Sequence, residues 1–287
     1  MGLFTKGPKP EKQPQYYQSA TNMRTLNYKV YYMSLPQKIL YFLIGFGVGG
    51  AVGYLFYGGI GLDEFGNPTM TTYVLNTFFV GVTGLIAGIK FLPIRVSQII
   101  QKRKRKLNSQ FRDMLEALNT SLGAGKNVPD SFKAVHGDLK VQYEEDAFIL
   151  NELEVILSGV ANNVAIEDLL EDFGHRSGID DIVSFANVFQ ICFRMGGNIK
   201  DVIRATHEIL TDKMEIREEI DTVVTASKTE QNIMVMMPIA IVGMLKMLSP
   251  ELSANFTTVT GIASTTVAIV LFIVAHYVGK MVLNIKV

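Results

Sequence analysis

The chain has 287 residues, with 27 basic and 27 acidic side chains and a formal net charge of zero. That balance points to neither nucleic acid nor an acidic substrate. A single cysteine, Cys192, excludes an intramolecular disulfide framework and reads as a buried thiol in an apolar helical run. The hydrophobic fraction, 48%, lies at the upper end for soluble proteins, and its uneven spread carries the information.

The first 36 residues are polar, with lysines and prolines but no short apolar core or small-residue cleavage site. Residues 1–38 are therefore expected to be a cytoplasmic tail rather than a secretory signal. Two uncharged runs follow, Ile39–Tyr57 and Tyr73–Ile89, and two more come late, Ile233–Leu245 and Gly261–Gly279. Roughly 20 residues cross a hydrocarbon core. The third run reaches that length when Thr229–Asn232 and Lys246–Leu248 are counted, with Lys246 snorkelling to the interface. The expected organisation is two transmembrane helices with a short outside loop over 39–93, a helical domain over 94–230, and two more transmembrane helices with a short C-terminus over 231–287.

The loops set the orientation. Gly58–Thr72 has Asp63 and Glu64 but no Lys or Arg, and Ser249–Ser264 has none either. The tail carries Lys6, Lys9, Lys12, Arg24, Lys29 and Lys38. Arg95 and the block Lys102, Arg103, Lys104, Arg105, Lys106 follow the second run, and Lys280 and Lys286 lie at the end. The positive-inside rule places both termini and the 94–230 domain in the cytoplasm. Gly45, Gly49 and Gly53, four apart, and Gly84 and Gly88 form ridges that let helix backbones approach in lipid. The alternative is the general glycine richness of membrane helices.

Between the spans, Leu107, Phe111, Met114, Leu115, Leu118 and Leu122 follow a helical stripe. Phe148–Val160 and Ile182–Met195 behave alike, and a last helix starts at Ile199 and runs past Ile220 towards the third span. Three stretches share one grammar, beginning at Gly125-Lys-Asn-Val-Pro-Asp, Asn162-Asn-Val-Ala-Ile-Glu-Asp and Gly197-Asn-Ile-Lys-Asp. Gly or Asn ends a helix in the left-handed conformation, Pro129 suits a first turn, and an acidic residue favours its positive end. The fold class expected is all-α: four spans with a cytoplasmic six-helix domain made of three helical hairpins.

No catalytic, cofactor or metal site emerges. Gly123-Ala-Gly125-Lys126-Asn127 suggests a phosphate loop, but Thr120 stands where the first glycine belongs, Asn127 follows the lysine, and the preceding segment is helical. It reads as a helix–helix turn. His136, His175, His207 and His276 have no ligand spacing with one another or with Cys192. The acidic clusters at 144–146, 167–172 and 180–181 sit near predicted helix starts, where carboxylates are stabilised by the helix dipole. The basic block suits anionic lipid headgroups, with a protein partner as the other reading. Charge inside the spans is sparse, which counts against transport.

The basic block followed by Phe111-Arg-Asp-Met-Leu-Glu-Ala-Leu-Asn-Thr-Ser-Leu-Gly-Ala-Gly-Lys-Asn-Val-Pro-Asp-Ser-Phe, the run Ile191-Cys-Phe-Arg-Met-Gly-Gly-Asn-Ile-Lys-Asp-Val-Ile, and Met237-Pro238 with its Ser249-Pro-Glu loop together resemble the type II secretion F-domain family. The likeness covers roughly 100–285 and is nearest to the TadB-like platform proteins of Tad (Flp) type IV pilus systems. It departs in the longer, tyrosine-containing tail at Gln13–Tyr32. The resemblance implies a bacterial inner-membrane assembly platform that docks on a cytoplasmic, TadA-like hexameric secretion ATPase. It further implies pairing with a TadC-like subunit or with itself, and handling of pilin subunits. Lys126, Asn198 and the basic block are the candidate partner contacts. The alternative reading is a membrane subunit of a transporter or of another secretion complex.

Overall fold

A computed structural model describes residues 13–19, 22–61, 63, 67–249 and 254–283. Apart from one small hairpin, the described chain is helical. Strands β1 (Tyr16–Gln18) and β2 (Arg24–Leu26) pair antiparallel, Tyr16 opposite Leu26. The helices are α1 (Leu35–Tyr57), α2 (Met70–Gly123), α3 (Val128–Gln142), α4 (Phe148–Ala161), α5 (Ile166–Ser177), α6 (Asp180–Met195), α7 (Ile199–Leu248) and α8 (Val259–Leu283). Four of these segments are long and apolar enough to cross a membrane: Leu35–Tyr57, the first part of α2, Thr229–Leu248 and Val259–Gly279.

The chain forms two compact units. The first holds 13–32 and 96–214, the second 33–95 and the residues from 215 onward. The helical stripe read from the sequence is its core: Leu107, Phe111, Met114, Leu115 and Leu118 of α2 are fully buried. They meet Phe132 of α3, Leu153 of α4, Phe173 of α5, and Phe185 and Phe189 of α6. Phe111 stands edge-on to Phe173 and Phe185, centroids 6.1 and 5.4 Å apart, the arrangement favoured by aromatic quadrupoles.

The turns between these helices follow from local chemistry. Gly125 has φ +85°, and the Asn127 side chain accepts from the Asp130 amide at 2.8 Å, so the turn ends one helix and caps the next. Asn163 (φ +59°) and Gly196 (φ +74°) end α4 and α6 in the same left-handed conformation.

The tail divides differently from the expected 1–38 segment, because residues 13–32 pack on the helices of the first unit. Tyr28 is 1% exposed, and its hydroxyl donates to Glu152 Oε1 at 2.9 Å. Arg176 of α5 donates to both Glu152 oxygens, at 2.8 and 2.7 Å, to Asp172 Oδ2 at 2.7 Å and to the Leu26 carbonyl at 3.3 Å. The Tyr28 amide donates to the Arg176 carbonyl at 3.0 Å. Two buried charges are thereby bidentately paired, and the tail supplies part of their hydrogen bonding.

In the second unit, the glycines of α1 and α2 face each other. A Cβ on Gly45 would stand 3.0 Å from Gly88 Cα, one on Gly84 would stand 2.9 Å from the Phe46 ring, and one on Gly88 would meet the Phe42 ring at 2.7 Å. Cβ atoms on Gly49 and Gly53 would overlap Ala87 and Thr83. At one end of this unit Gly59 N donates to Asn76 Oδ1 (3.1 Å), Lys246 Nζ donates to the Gly58 carbonyl (3.1 Å), and Tyr57 and Thr266 hydroxyls lie 3.0 Å apart. At the other end Gln231 Nε2 donates to the His276 carbonyl at 3.1 Å. Helices α1, α2, the late part of α7 and α8 thus run alternately up and down. The helix ends flanking the two short connections come together.

Two outcomes follow. Arg176→Met leaves Glu152 buried and unpaired, at a cost of about 3–5 kcal/mol, whereas Tyr28→Phe costs about 1 kcal/mol. Hydrogen-exchange protection of the α4 and α5 amides is expected to fall in that order. Gly49→Leu overpacks α1 against α2 by about 1–3 kcal/mol. Gly47→Leu, where nothing lies within 4 Å of the new Cβ, is expected to leave thermal stability in detergent nearly unchanged.

Candidate functional site

The five basic residues after the second span do not form one patch. They sit on consecutive positions of α2, so the 100° step of a helix turns neighbours to different sides. Arg103 is half-buried, its guanidinium 4.5 Å from the Tyr31 ring centroid. Lys104 is half-buried as well and donates to the Gly178 carbonyl at 2.6 Å, capping the C-terminal end of α5. Lys102, Arg105 and Lys106 are exposed, and Lys106 Nζ lies 5.8 Å from the Phe148 ring centroid. Burial, followed by the charge of Lys29, lowers the pKa of Lys104. Two of the five charges therefore hold the tail and α5, and three face solvent.

The turn residues Lys126 and Asn198 are both exposed and belong to the same unit. Asn198 Nδ2 donates to Asp201 Oδ2 at 2.5 Å, ordering the first turn of α7. Lys200, on that same turn, places its Nζ 3.7 Å from the Cβ position of Gly123. The α2–α3 and α6–α7 turns are thus neighbours, and they bring Lys126 and Lys200 to one end of the unit. Lys200 was not singled out by the sequence, since its proximity to Gly123 rests on a contact between residues far apart in the chain.

From Lys126 a groove of about 500 Å³ runs between α2 and α3, lined by Asp113, Glu116, Ser121 and Asp138 among others. Asp113 accepts from the Tyr143 hydroxyl and pairs with Arg112 at 3.0 Å. Burial, then the hydrogen bond to Asp113, pushes the Tyr143 phenol up to about 12.

Carboxylates of the acidic clusters at 167–172 and 180–181 are paired. Arg194 bridges Glu167 (3.3 Å) and Asp168 (3.2 Å), Gln190 donates to Glu171 (3.3 Å), and Asp181 pairs with Lys213. Among the described residues no group of three His, Cys, Asp or Glu side chains has the geometry to hold a metal ion. His136 lies 3.5 Å and Lys140 3.6 Å from Glu154, joining α3 to α4. These charges tie helices to one another. The Arg194 bridge is a structural use of carboxylates that also lie in the first turn of α5.

The phenol of Tyr143 gives a pH test. Its folded pKa lies above the unfolded value of 10, so the fold favours the neutral form. Its contribution is complete below pH 10 and is lost as pH rises towards 12. Lys104, shifted downward, acts with the opposite sign, so the comparison of wild type with Tyr143→Phe isolates the phenol. The difference ultraviolet titration is expected to show one tyrosine ionising near pH 12, and ionisation near 10 would contradict the assigned hydrogen bond.

Comparison with family models, with curated proteins and with solved structures finds no match to this chain.

Proposed function

We propose that the chain is a bacterial inner-membrane assembly-platform protein of a type IV pilus or type II secretion-like machine, of the Tad (Flp) kind. In this reading the unit holding residues 96–214 is cytoplasmic and receives motion from a TadA-like hexameric ATPase. The four spans couple that motion to extraction and polymerisation of pilin subunits. The chain supplies no chemistry of its own, and the energy comes from the ATPase. A TadC-like subunit or a second copy completes the platform.

The observation that supports this reading most is the meeting of the two turns. The resemblance rests on the stretches around Gly123–Pro129 and Gly196–Asn198, and these distant stretches converge at one end of one unit, with Lys126 and Lys200 exposed there. Two exposed lysines brought together suit acidic side chains on a soluble partner. The alternation of the four helices in the second unit adds support, since the two loops lacking Lys and Arg flank helix ends that lie together.

Copurification of the full chain from its own membranes in mild detergent is expected to bring down the secretion ATPase and a second platform subunit. The double change Lys126→Glu, Lys200→Glu is expected to reduce ATPase recovery by about tenfold or more, because like charges juxtaposed at an interface cost several kcal/mol. Absence of the ATPase from the wild-type preparation, together with unchanged surface pili after deletion of the gene, would refute the proposal. Substrate flux in proteoliposomes lacking all pilus components would favour the transporter reading instead.

A further inference from the structure

A cavity of about 340 Å³ opens among α1, the late part of α7 and α8 in the second unit. Phe56, Pro238, Val242, Phe256, Ile269 and Phe272 line it, so its walls are apolar nearly throughout. Its polar contributions are Thr265, which is 8% exposed, and His276. Lys246 stands at one end. It lies one helical turn beyond Val242, and its Nζ is 5.6 Å from the ring centroid of Phe256, so it shares a wall residue with the cavity. The ammonium is half-buried and spends one of its three N–H donors on the Gly58 carbonyl. Among the described residues no carboxylate pairs with it.

We propose that this cavity holds the acyl chain of one anionic phospholipid, with the headgroup phosphate on Lys246. The inference goes beyond the platform reading and does not depend on it. A lysine in the last turn of a helix has a bland explanation, attraction to the helix C-terminus. That accounts for the charge but not for an apolar cavity ending on it. Charge separates a lipid from an apolar partner helix, which would leave the ammonium unpaired. An apolar groove with one cation at one end matches the make-up of a phospholipid, an apolar chain beneath a charged phosphate. The charge selects an anionic headgroup over a zwitterionic one, because a basic residue near the membrane surface is worth about 1 kcal/mol towards anionic lipid, or about fivefold.

Native mass spectrometry of the full chain in mild detergent, titrated with phosphatidylglycerol and phosphatidylcholine of identical acyl chains, tests this. Wild type is expected to retain one phosphatidylglycerol about fivefold better than phosphatidylcholine. Lys246→Arg keeps the preference, Lys246→Gln abolishes it, and Ala268→Phe, which fills the cavity, loses the tightly held lipid of either kind. Equal retention of the two lipids by wild type, or an unchanged preference in Lys246→Gln, would overturn the proposal. So would a hydrophobic polypeptide that copurifies with wild type and is lost in Ala268→Phe while lipid retention stays the same.

Discussion

The buried pair of Arg176 and Glu152 is the constraint around which the first unit is organised. Both residues are almost wholly excluded from solvent, 4% and 2% exposed, and two charges in that position are tolerable only with nearly every donor and acceptor engaged. The guanidinium meets this by bidentate pairing, a second carboxylate at Asp172, and the Leu26 carbonyl. Burial alone would lower the Arg176 pKa, but the hydrogen bonds and charge of Glu152, then of Asp172, raise it on balance. Tyr28 is raised in turn by burial and by the Glu152 carboxylate, so it stays a neutral donor. The tail is thus part of the solvation shell of an ion pair that α4 and α5 cannot complete alone.

That dependence explains how the basic block is used. With Tyr28 inserted over α4 and α5, the following residues pass beside α2, where Tyr31 meets Arg103 and Lys29 meets Lys104 beside Gly178. A side chain on Gly178 would collide with Lys29 and Lys104, and the residue also has φ +59°. Two of the five charges are spent on this junction, so whatever lipid or protein the block attracts sees Lys102, Arg105 and Lys106. A run that reads in sequence as one uniform patch divides into packed and exposed charges because a helix separates neighbours by 100°.

Periodicity and composition made the helices, the four apolar spans and the core stripe of α2 legible, because each is a repeating local signal. The turn at Gly125–Asn127 was legible for another reason, since cap chemistry is confined to a few adjacent residues. The ion pair was not. Arg176 reads as a cation ending α5, and Tyr28 as one of several tail tyrosines, 124 positions before Glu152. One signal was available: Glu152 falls on the apolar stripe of α4, between Ile149 and Ile156, where a charge without a partner would be intolerable. The tail marked the chain's departure from the family it resembles, and in the structure it is the segment that completes the core. The meeting of Gly123 with Lys200 lay beyond local reading for the same reason, being a contact set by packing rather than by pattern.

In the platform reading, motion must pass from one unit to the other through the chain. Helices α2 and α7 each cross the division, at residues 95–96 and 214–215, without a break in helical structure. A continuous helix resists bending through its ladder of backbone hydrogen bonds, and the ladder is weakest where proline removes a donor. Pro93 lies just before residue 95 in α2, while Pro238 lies well inside the apolar part of α7 and lines the apolar cavity. The two prolines thus interrupt their helices at different places, near residue 93 in α2 and within the apolar part of α7. Pro238 stands among the side chains that an acyl chain would touch. The lipid proposed there would pack against a span whose backbone ladder Pro238 interrupts in its apolar part.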